Sequence, residues 1–398
     1  MAVVVLMLAC GALAALAAWL VIRLVQKEYV RYRTRFESEA VHGLADFFLF
    51  LDPSALWGVN LVVAMAPTVG FVGRIGLAGA VETFIDIPPE PDLPAVEAVL
   101  AAARAFRPDL VIGLGGGSVM DIAKLVAVLW DSEQSVLDVV GVGKIAGRRT
   151  GLAQLPTTSG TGSEAGIRSL VTNPDTLAKL AVESPFMLAD IAVLDPELTY
   201  SVPAPVTAAT GVDALAHCVE AFTNIKAHPF IDGYATQGIA LVGRYLARAV
   251  ADGKDTEARA GMMLASYYGG ICLGPVNTAG GHALAYPLGT HLKLPHGLAN
   301  AIIFPHVLAF NAEARPEKTD LVARALGLSG GGQRDSILAQ SVSYCEGLGI
   351  EMQLARHGAQ ESDLGLWAEE AFAIKRLVDN NPRPLAVSDI VSIYKNAY

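Results

Sequence analysis

The chain contains little cysteine and has no CxxC motif. Its 398 residues include four cysteines, at Cys10, Cys218, Cys272 and Cys345. No two of them have the spacing of a metal-binding or redox pair. This pattern argues against a disulfide framework and fits a reducing, cytoplasmic compartment for most of the chain.

Basic residues are scarce relative to acidic ones. Lys and Arg together number 29 against 39 Asp and Glu, which gives a formal net charge of −10. The sequence shows no basic stripe of the kind that neutralises a row of phosphates. Nucleic acid is therefore not an expected partner.

Charged residues are absent from residues 2–22, AVVVLMLACGALAALAAWLVI. At ~1.5 Å per residue, a helix of this length spans roughly the ~30 Å core of a bilayer. Five basic residues follow the segment, at Arg23, Lys27, Arg31, Arg33 and Arg35. The pattern predicts a transmembrane helix that anchors the chain in the inner (cytoplasmic) membrane, with the N-terminus outside and the remainder in the cytoplasm.

Two alternatives for this segment are a cleaved signal peptide and a buried helix. A signal peptide has a basic region before its apolar run, whereas the positive charge here comes after it. A helix that packs on the core of a soluble protein usually keeps a polar face, which this segment lacks. The helix, the following RYRTRF run and the FLFLDP pattern resemble the N-terminus of the TadB-type membrane proteins of pilus and type II secretion systems. This resemblance covers residues 1–65 and predicts a fusion, with its joint near residues 60–68.

Residues 66–202 have the pattern of an α/β domain. A strand (ETFIDI), an acidic Pro-rich loop, a helix (AVEAVLAAARAF) and a second strand (DLVIGL) follow one another over residues 82–114. That alternation is typical of a parallel sheet covered by helices. From residue 203 onward, apolar residues recur at helical spacing, and the Pro- and Gly-rich stretch at 196–205 predicts the domain boundary. Residues 203–398 are thus predicted to form an all-helical domain.

The α/β part lacks the GxGxxG fingerprint of many dinucleotide-binding folds. It has instead LVIGLGGGSVMDIAK at residues 110–124, which predicts a strand, a glycine turn and the start of a helix. A phosphate can approach the backbone N–H groups of such a turn because no Cβ obstructs it. The loop PTTSGTGSE at 156–164 adds hydroxyl groups. Either motif alone suits an ordinary turn, whereas the two together favour nucleotide binding.

Four residues of the second half form a candidate metal-binding set. Asp213 and His217 are four residues apart in TGVDALAHCVEAF, a spacing that places both side chains on one helix face. His282 and His296 bracket the Gly- and Pro-rich segment GHALAYPLGTHLKLPHG. One carboxylate and three imidazoles suit Fe(II) or Zn(II). A simple Asp213–His217 ion pair is the alternative, and the role of His291 in the same segment stays open.

These motifs, together with the terminal NPRPLAVSDIVSIYKNAY, resemble the iron-containing (group III) alcohol dehydrogenase family over residues 66–398. The resemblance implies an N-terminal α/β dinucleotide-binding domain, a C-terminal helical domain and an active site between them. It also implies a tendency to form homo-oligomers. The family's four metal ligands match Asp213, His217, His282 and His296.

The same resemblance assigns a set of cofactor-binding residues. They comprise the pyrophosphate turn, the adenine- and ribose-side loop, and a lysine near the nicotinamide ribose: Gly116, Gly117, Ser118, Asp121, Thr157, Thr158, Thr161 and Lys179. The implied cofactor is NAD or NADP, and the implied metal is Fe(II) or Zn(II).

Two positions depart from the family pattern. Many members have a histidine four residues after the third metal ligand, where this chain has Tyr286. Because an ordinary tyrosine pKa is ~10 against ~6.5 for histidine, Tyr286 is a less effective candidate proton relay at neutral pH. Upstream, NLVVAMAPTVG at 60–70 could replace the first strand and loop, but it lacks the acidic residue that often reads the ribose. The sequence thus leaves NAD against NADP undecided.

The predicted activity is hydride transfer between an alcohol and a nicotinamide cofactor, with aldehyde or ketone reduction in reverse. Alternatives within the superfamily are glycerol dehydrogenase, maleylacetate reductase and hydroxyacid–oxoacid transhydrogenase. A membrane-anchored, non-catalytic remnant is the alternative from another class, because the first nucleotide-binding unit looks incomplete.

Overall fold

The computed structural model describes residues 81–176, 178–329 and 333–398. The predicted membrane span at 2–22, the predicted fusion joint and the substitute strand at 60–70 lie outside these residues. Among the residues that are described, no helix is long and apolar enough to span a membrane.

The first helix and strand place a glycine turn at the end of a parallel sheet. Helix α1 spans Leu93–Phe106 and is capped by Asp92, whose carboxylate accepts the Ala95 N–H at 2.9 Å. Strand β1 (Leu110–Gly115) runs directly into helix α2 (Gly117–Leu129) through Gly116. The predicted helix–strand–turn–helix order of this region is confirmed.

Two small sheets complete the α/β part. Their remaining strands are β2 (Gly141–Val142), β3 (Gly151–Pro156), β4 (Arg168–Thr172), β5 (Lys179–Glu183) and β6 (Ile191–Ala192). One sheet has the order β1-β3-β6 and is parallel, with Leu110 opposite Gly151 and Gly115 opposite Pro156. In the other, of order β2-β5-β4, β2 is parallel and β4 antiparallel to β5. The parallel sheet ends where the glycine turn and the 157–163 loop emerge.

The predicted strand ETFIDI at 82–87 is wrong. These residues form no regular structure and are mostly exposed. Alternating apolar residues make a strand only where a neighbouring strand accepts their ladder hydrogen bonds. Among the described residues, this stretch makes one backbone hydrogen bond, and it is local, from the Ile87 N–H to the Ile85 carbonyl. The first pairing of this region with the sheet comes later, as a bridge between Asp92 and Thr172.

Every regular element described after residue 203 is helical. The main ones are α3 (Ala204–Thr223), α4 (Pro229–Ala251), α5 (Thr256–Leu273), α6 (Gly280–Leu292), α7 (His296–Asn311), α8 (Pro316–Ala325), α9 (Arg334–Gly347), α10 (Leu364–Ala373), α11 (Lys375–Val378) and α12 (Val387–Ala397). This change from mixed to purely helical structure agrees with the predicted α/β plus all-α arrangement. The domain limits at 66–202 and 203–398 remain predictions.

Helix α3 lies at the centre of the helical part. It packs against α4, α5 and α7, and nearly all of its residues from Thr207 to Thr223 are buried. Its apolar residues belong to the largest core cluster, and α6, α7, α10 and α12 share a second one. Charged side chains on α3 therefore lie deep in the protein and need partners there.

Candidate metal and nucleotide site

The four predicted metal ligands converge on one point. Asp213 and His217 lie one turn apart on α3, His282 lies in the first turn of α6, and His296 begins α7. One potential ligand atom from each lies within 4.8 Å of all the others. The Nε2 atoms of His217, His282 and His296 lie 4.0, 3.6 and 3.9 Å from Asp213 Oδ1. The alternative of a simple Asp213–His217 ion pair therefore does not account for the cluster, which has four members.

The chemistry of the cluster fits a divalent ion. His282 Nε2 is buried, faces Asp213 and has no hydrogen-bond partner among the described residues. The rings of His217 and His282 stack with centroids 4.6 Å apart, an arrangement that brings their nitrogens together without a hydrogen bond between them. A buried nitrogen without a partner is costly unless a donor or a cation meets it. A mixed carboxylate and imidazole set supplies ligands that iron and zinc accept.

The pKa values of the four residues reflect burial and their mutual contact. Burial alone would raise the pKa of Asp213, but His217, His296 and His282 outweigh it and hold that pKa below its usual range. Burial lowers the pKa of His217 to about 4 and also lowers that of His296, in both cases against the effect of Asp213. The imidazoles of His217 and His296 are therefore neutral at neutral pH, the form that binds metal.

Two further residues hold the ligands in place. Glu220 Oε1 lies 2.8 Å from His282 Nδ1. Asn300 donates from Nδ2 to Asp213 Oδ1 at 2.7 Å, one helical turn after His296. Burial would lower the pKa of His282, but Glu220 and Asp213 outweigh it and raise that pKa to about 10, so metal binding at Nε2 would release a proton. Sequence reasoning missed Glu220 and Asn300, although Glu220 lies only three positions after His217, on the same helix face.

The glycine turn and the metal cluster open into the same cleft. Its lining includes most of the predicted nucleotide residues and three of the four metal ligands, namely Gly117, Ser118, Asp121, Thr161, Lys179, His217, His282 and His296. Tyr286 also lines the cleft, and its ring centroid lies 5.9 Å from that of His296. Residues from the two predicted domains thus share one cavity.

The 157–163 loop packs against the glycine turn. A Cβ on Gly117 would lie 2.7 Å from Thr161 Cγ2, and one on Gly116 would lie 3.5 Å from Thr158 Oγ1. The Thr157 N–H bonds to the Gly115 carbonyl at 3.0 Å and so extends the strand pairing. Gly116, Thr157 and Thr158 are not among the described residues that line the cleft. Their part in cofactor binding stays a prediction.

Asp121 is fully engaged by protein groups. Its Oδ1 accepts the Ser163 hydroxyl at 2.7 Å and its Oδ2 accepts the Leu170 N–H at 2.8 Å. The ammonium of Lys124, itself buried, donates to Ser163 Oγ at 2.7 Å and to the Arg168 carbonyl at 2.8 Å. Burial lowers the pKa of Lys124. Asp121 therefore acts on the turn by holding loop and strand around it.

Lys179 and Glu90 form an ion pair at the cleft wall. Lys179 Nζ donates to Glu90 Oε2 at 2.6 Å and to Thr172 Oγ1 at 2.8 Å. The Glu90 N–H in turn donates to Ser118 Oγ at 3.0 Å. Glu90 thus connects the predicted nicotinamide-side lysine to the glycine turn, although no motif singled it out in the sequence.

Tyr286 and His291 occupy different sides of α6. The Tyr286 hydroxyl accepts a hydrogen bond from Arg376 Nη2 at 3.4 Å. His291 instead pairs with Glu370 at 2.7 Å and stacks on Trp367. His291 is therefore not one of the metal-binding group, which settles the role that the sequence left open.

Helix α5 separates the nucleotide loop from the metal ligands. Ser266 Oγ accepts the Gly162 N–H at 3.2 Å on one side of this helix. A Cβ on Gly270 would lie 2.8 Å from the carbonyl carbon of Gly162, and a Cβ on Gly269 would lie 3.1 Å from His217 Cβ. The two adjacent glycines therefore let loop and ligand approach the same helix closely.

Sequence profiles of known families match most of the chain. One, described as iron-containing alcohol dehydrogenase, matches residues 74–196, and another, the C-terminal part of the Fe-containing alcohol dehydrogenase family, matches residues 207–398. Residues 1–65 match neither profile, and the comparisons lend no support to the TadB-type resemblance, the fusion or a membrane anchor.

Individual relatives agree with the profiles. The chain is 40% identical over 337 residues to long-chain-alcohol dehydrogenase 1 of Geobacillus thermodenitrificans, covering 80% of this chain and 82% of that protein. It is similar to the crystal structure of a 1,3-propanediol oxidoreductase, with a TM-score of 0.79, 31% identity, and coverage of 84% of this chain and 90% of the other.

A third relative was solved with a nucleotide. It is the sulfoacetaldehyde reductase from Bifidobacterium kashiwanohense in complex with NAD+, with a TM-score of 0.74, 31% identity, and coverage of 82% of this chain and 87% of the other. Profiles, relatives and fold all agree with the ligand cluster and cleft described above. The chain therefore belongs to the iron-containing alcohol dehydrogenase family.

Proposed function

We propose that this protein is a metal-dependent alcohol dehydrogenase that transfers a hydride between an alcohol and NAD. The observation that carries the proposal is one cleft lined by the glycine turn and by His217, His282 and His296, which cluster with Asp213. Alcohol oxidation needs an oxyanion stabiliser and a hydride acceptor in contact with the same carbon. The comparison with an NAD+ complex supports NAD, with NADP as the alternative.

Each part of the chain has a distinct task in this proposal. Asp213 and the three histidines hold Fe(II), with Zn(II) as the alternative, while the Gly116–Ser118 turn holds the pyrophosphate beside the α2 N-terminus. When bound, the ion supplies Lewis acidity that lowers the pKa of the substrate hydroxyl, and the nicotinamide accepts the hydride. Lys179 supports the nicotinamide end of the cleft. Helix α5 and the 157–163 loop close the cleft against water.

Tyr286 is the proposed proton relay. It lines the cleft beside His296, and its hydroxyl accepts the Arg376 N–H at 3.4 Å, which leaves its own proton free to be donated towards the cleft. The substrate is proposed only as an alcohol or the matching aldehyde or ketone. Homo-oligomerisation, and attachment to a membrane through residues 2–22, remain predictions.

The other superfamily activities have less support. The relatives are named as alcohol dehydrogenases or as reductases of an aldehyde, which favours a dehydrogenase over a transhydrogenase. A non-catalytic remnant would have no need for a converged four-residue ligand set. A substrate panel run with and without added NAD distinguishes these classes, because a transhydrogenase recycles its bound nucleotide.

The decisive experiment uses the full chain and its His282→Ala variant, both purified without oxygen and supplied with Fe(II). We expect the unmodified protein to bind one ion per chain and to reduce NAD with a short alcohol, followed by NADH absorbance. His282→Ala should lose metal and activity together, because a ligand and the buried contact of Glu220 are removed. Full turnover by a metal-free variant would refute the ligand assignment. His357→Ala, at a histidine that bonds the Glu351 carbonyl outside the cleft, is the matched control.

A further inference from the structure

Glu220 is a buried carboxylate immediately behind the metal cluster. It is 5% exposed and lies on α3, within an otherwise apolar stretch. An ionised carboxylate in such surroundings is costly unless charged or hydrogen-bonded groups meet both of its oxygens. Its two oxygens should therefore have specific partners.

Both oxygens of Glu220 are occupied by groups of α6. Oε1 contacts His282 Nδ1 at 2.8 Å, and Oε2 accepts the N–H of Ala279 at the start of α6. One carboxylate thus holds both the ligand histidine and the backbone end from which it projects.

The contact with Nδ1 determines what the other ring nitrogen can do. A carboxylate accepts a proton-bearing nitrogen, so His282 carries hydrogen on Nδ1 and presents Nε2 to the cluster. Nε2 is the buried atom that faces Asp213 and has no hydrogen-bond partner in the described part of the chain. The tautomer and the ring orientation are therefore both those that a ligand requires.

Gly281 keeps the space that this contact needs. A Cβ at this position would lie 2.5 Å from Glu220 Oε1 and 3.1 Å from its carboxyl carbon. Real Cβ atoms do not approach other atoms so closely, so any larger residue would displace the carboxylate. This observation is independent of the hydrogen bonds and points to the same group.

We infer that Glu220 is a positioning residue of the metal site: it selects the His282 tautomer that binds metal and fixes the start of α6 relative to α3. The inference rests on the proposed metal-dependent function, and it concerns a residue that touches a ligand and not the reacting atoms. Removing such a contact usually weakens metal affinity about 10–100-fold.

The test measures Co(II) affinity and the visible absorption spectrum of the Co(II)-loaded full chain. In Glu220→Gln an amide NH₂ group replaces one of the two carboxylate oxygens, so it faces either His282 Nδ1 or the Ala279 N–H, both of which are donors. We expect Co(II) affinity to fall about 10–100-fold, together with a changed absorption spectrum. Glu164→Gln is the matched control, since Glu164 is 2% exposed and has no contact with a ligand. Equal Co(II) affinity and spectrum in wild type and Glu220→Gln would overturn the inference.

Two further measurements test the role of Glu220 independently of the Glu220→Gln variant. Gly281→Ala leaves the charge of Glu220 intact but moves its carboxylate, and should also weaken Co(II) binding. In the Zn(II)-loaded wild type, ¹⁵N NMR of the histidines should show His282 protonated on Nδ1, and protonation on Nε2 would overturn the inference without any variant. If the wild type itself does not bind Co(II) or Zn(II), the proposed metal-dependent function fails, and the inference with it.

Discussion

His282 and Tyr286 lie one turn apart on α6 and face the same cleft, yet their surroundings differ. His282 is enclosed between Glu220 and Asp213, whereas Tyr286 has Arg376 at its hydroxyl and the ring of His296 beside its own ring. The first arrangement suits a fixed ligand. The second suits a group whose proton can exchange with the cleft and with solvent.

Replacing Tyr286 with Phe tests the proton relay. We expect kcat for alcohol oxidation to fall by about 100-fold, the lower end for loss of a general acid or base, with a changed pH–rate profile. Metal content should stay the same because Tyr286 is not a ligand. Steady-state kinetics over a range of pH, with metal analysis of each preparation, measures both. An unchanged pH profile would show that Tyr286 carries no proton.

The sequence predicted some of these residues for physical reasons and missed others. The spacing of Asp213 and His217 alone places both on one face of a helix. The thirteen positions between His282 and His296 fix no such geometry. These two histidines entered the set because they bracket a Gly- and Pro-rich segment, and the family resemblance then matched them to metal ligands. Glu220 and Asn300 went unnoticed because a single Glu or Asn in a helix has many roles, and only the folded packing shows what each one touches.

At the scale of elements, the glycine turn leaves room for the threonine side chains of a second loop that packs on it. Strand β1 and helix α2 were predictable from their apolar runs and the intervening glycines. The packing of Thr161 on Gly117 was not predictable, because it joins segments about forty residues apart. The prediction of a strand at 82–87 was wrong for the same reason. The local pattern of apolar residues does not indicate whether another strand lies beside it to pair with.

Gly117→Ala is expected to weaken NADH binding. Its Cβ would lie 2.7 Å from Thr161 Cγ2, so the loop must move away from the turn at a cost of about 1–3 kcal/mol. NADH fluorescence titration should show a higher Kd, with Co(II) affinity unchanged. Gly147→Ala serves as the control, because no atom lies within 4 Å of its added Cβ. Equal NADH affinity in wild type and Gly117→Ala would argue against this turn as the pyrophosphate site.

At the scale of the whole molecule, one buried acid should make stability depend on pH. Burial raises the pKa of Glu164 from its ordinary 4.5 to about 7, although Lys124 lies near enough to oppose the shift. Between these values the folded protein binds more protons at this residue than the unfolded chain does. The contribution of Glu164 to stability is therefore full below pH 4.5 and is lost as pH rises through about 7.

Glu164→Gln removes this dependence because its amide stays neutral. Relative to the variant, the free energy of unfolding of metal-free wild type should fall by roughly 3 kcal/mol between pH 4.5 and above pH 7, at 1.36 kcal/mol per pKa unit. Urea unfolding of both proteins at several pH values measures the difference. Parallel curves for the two proteins would show that Glu164 titrates normally.

The adjacent glycines Gly269 and Gly270 of α5 face two different parts of the site. The thickness of one bare helix backbone sets the spacing between the nucleotide loop and the first histidine of the metal cluster. A methyl group at 270 pushes on Gly162, and one at 269 pushes on His217. Gly270→Ala should therefore weaken nucleotide binding, and Gly269→Ala should weaken metal binding. Neither glycine is itself one of the proposed nucleotide-binding or metal-binding residues. NADH and Co(II) titrations of the pair measure this directly, and identical defects in both variants would show that α5 acts as a single rigid spacer.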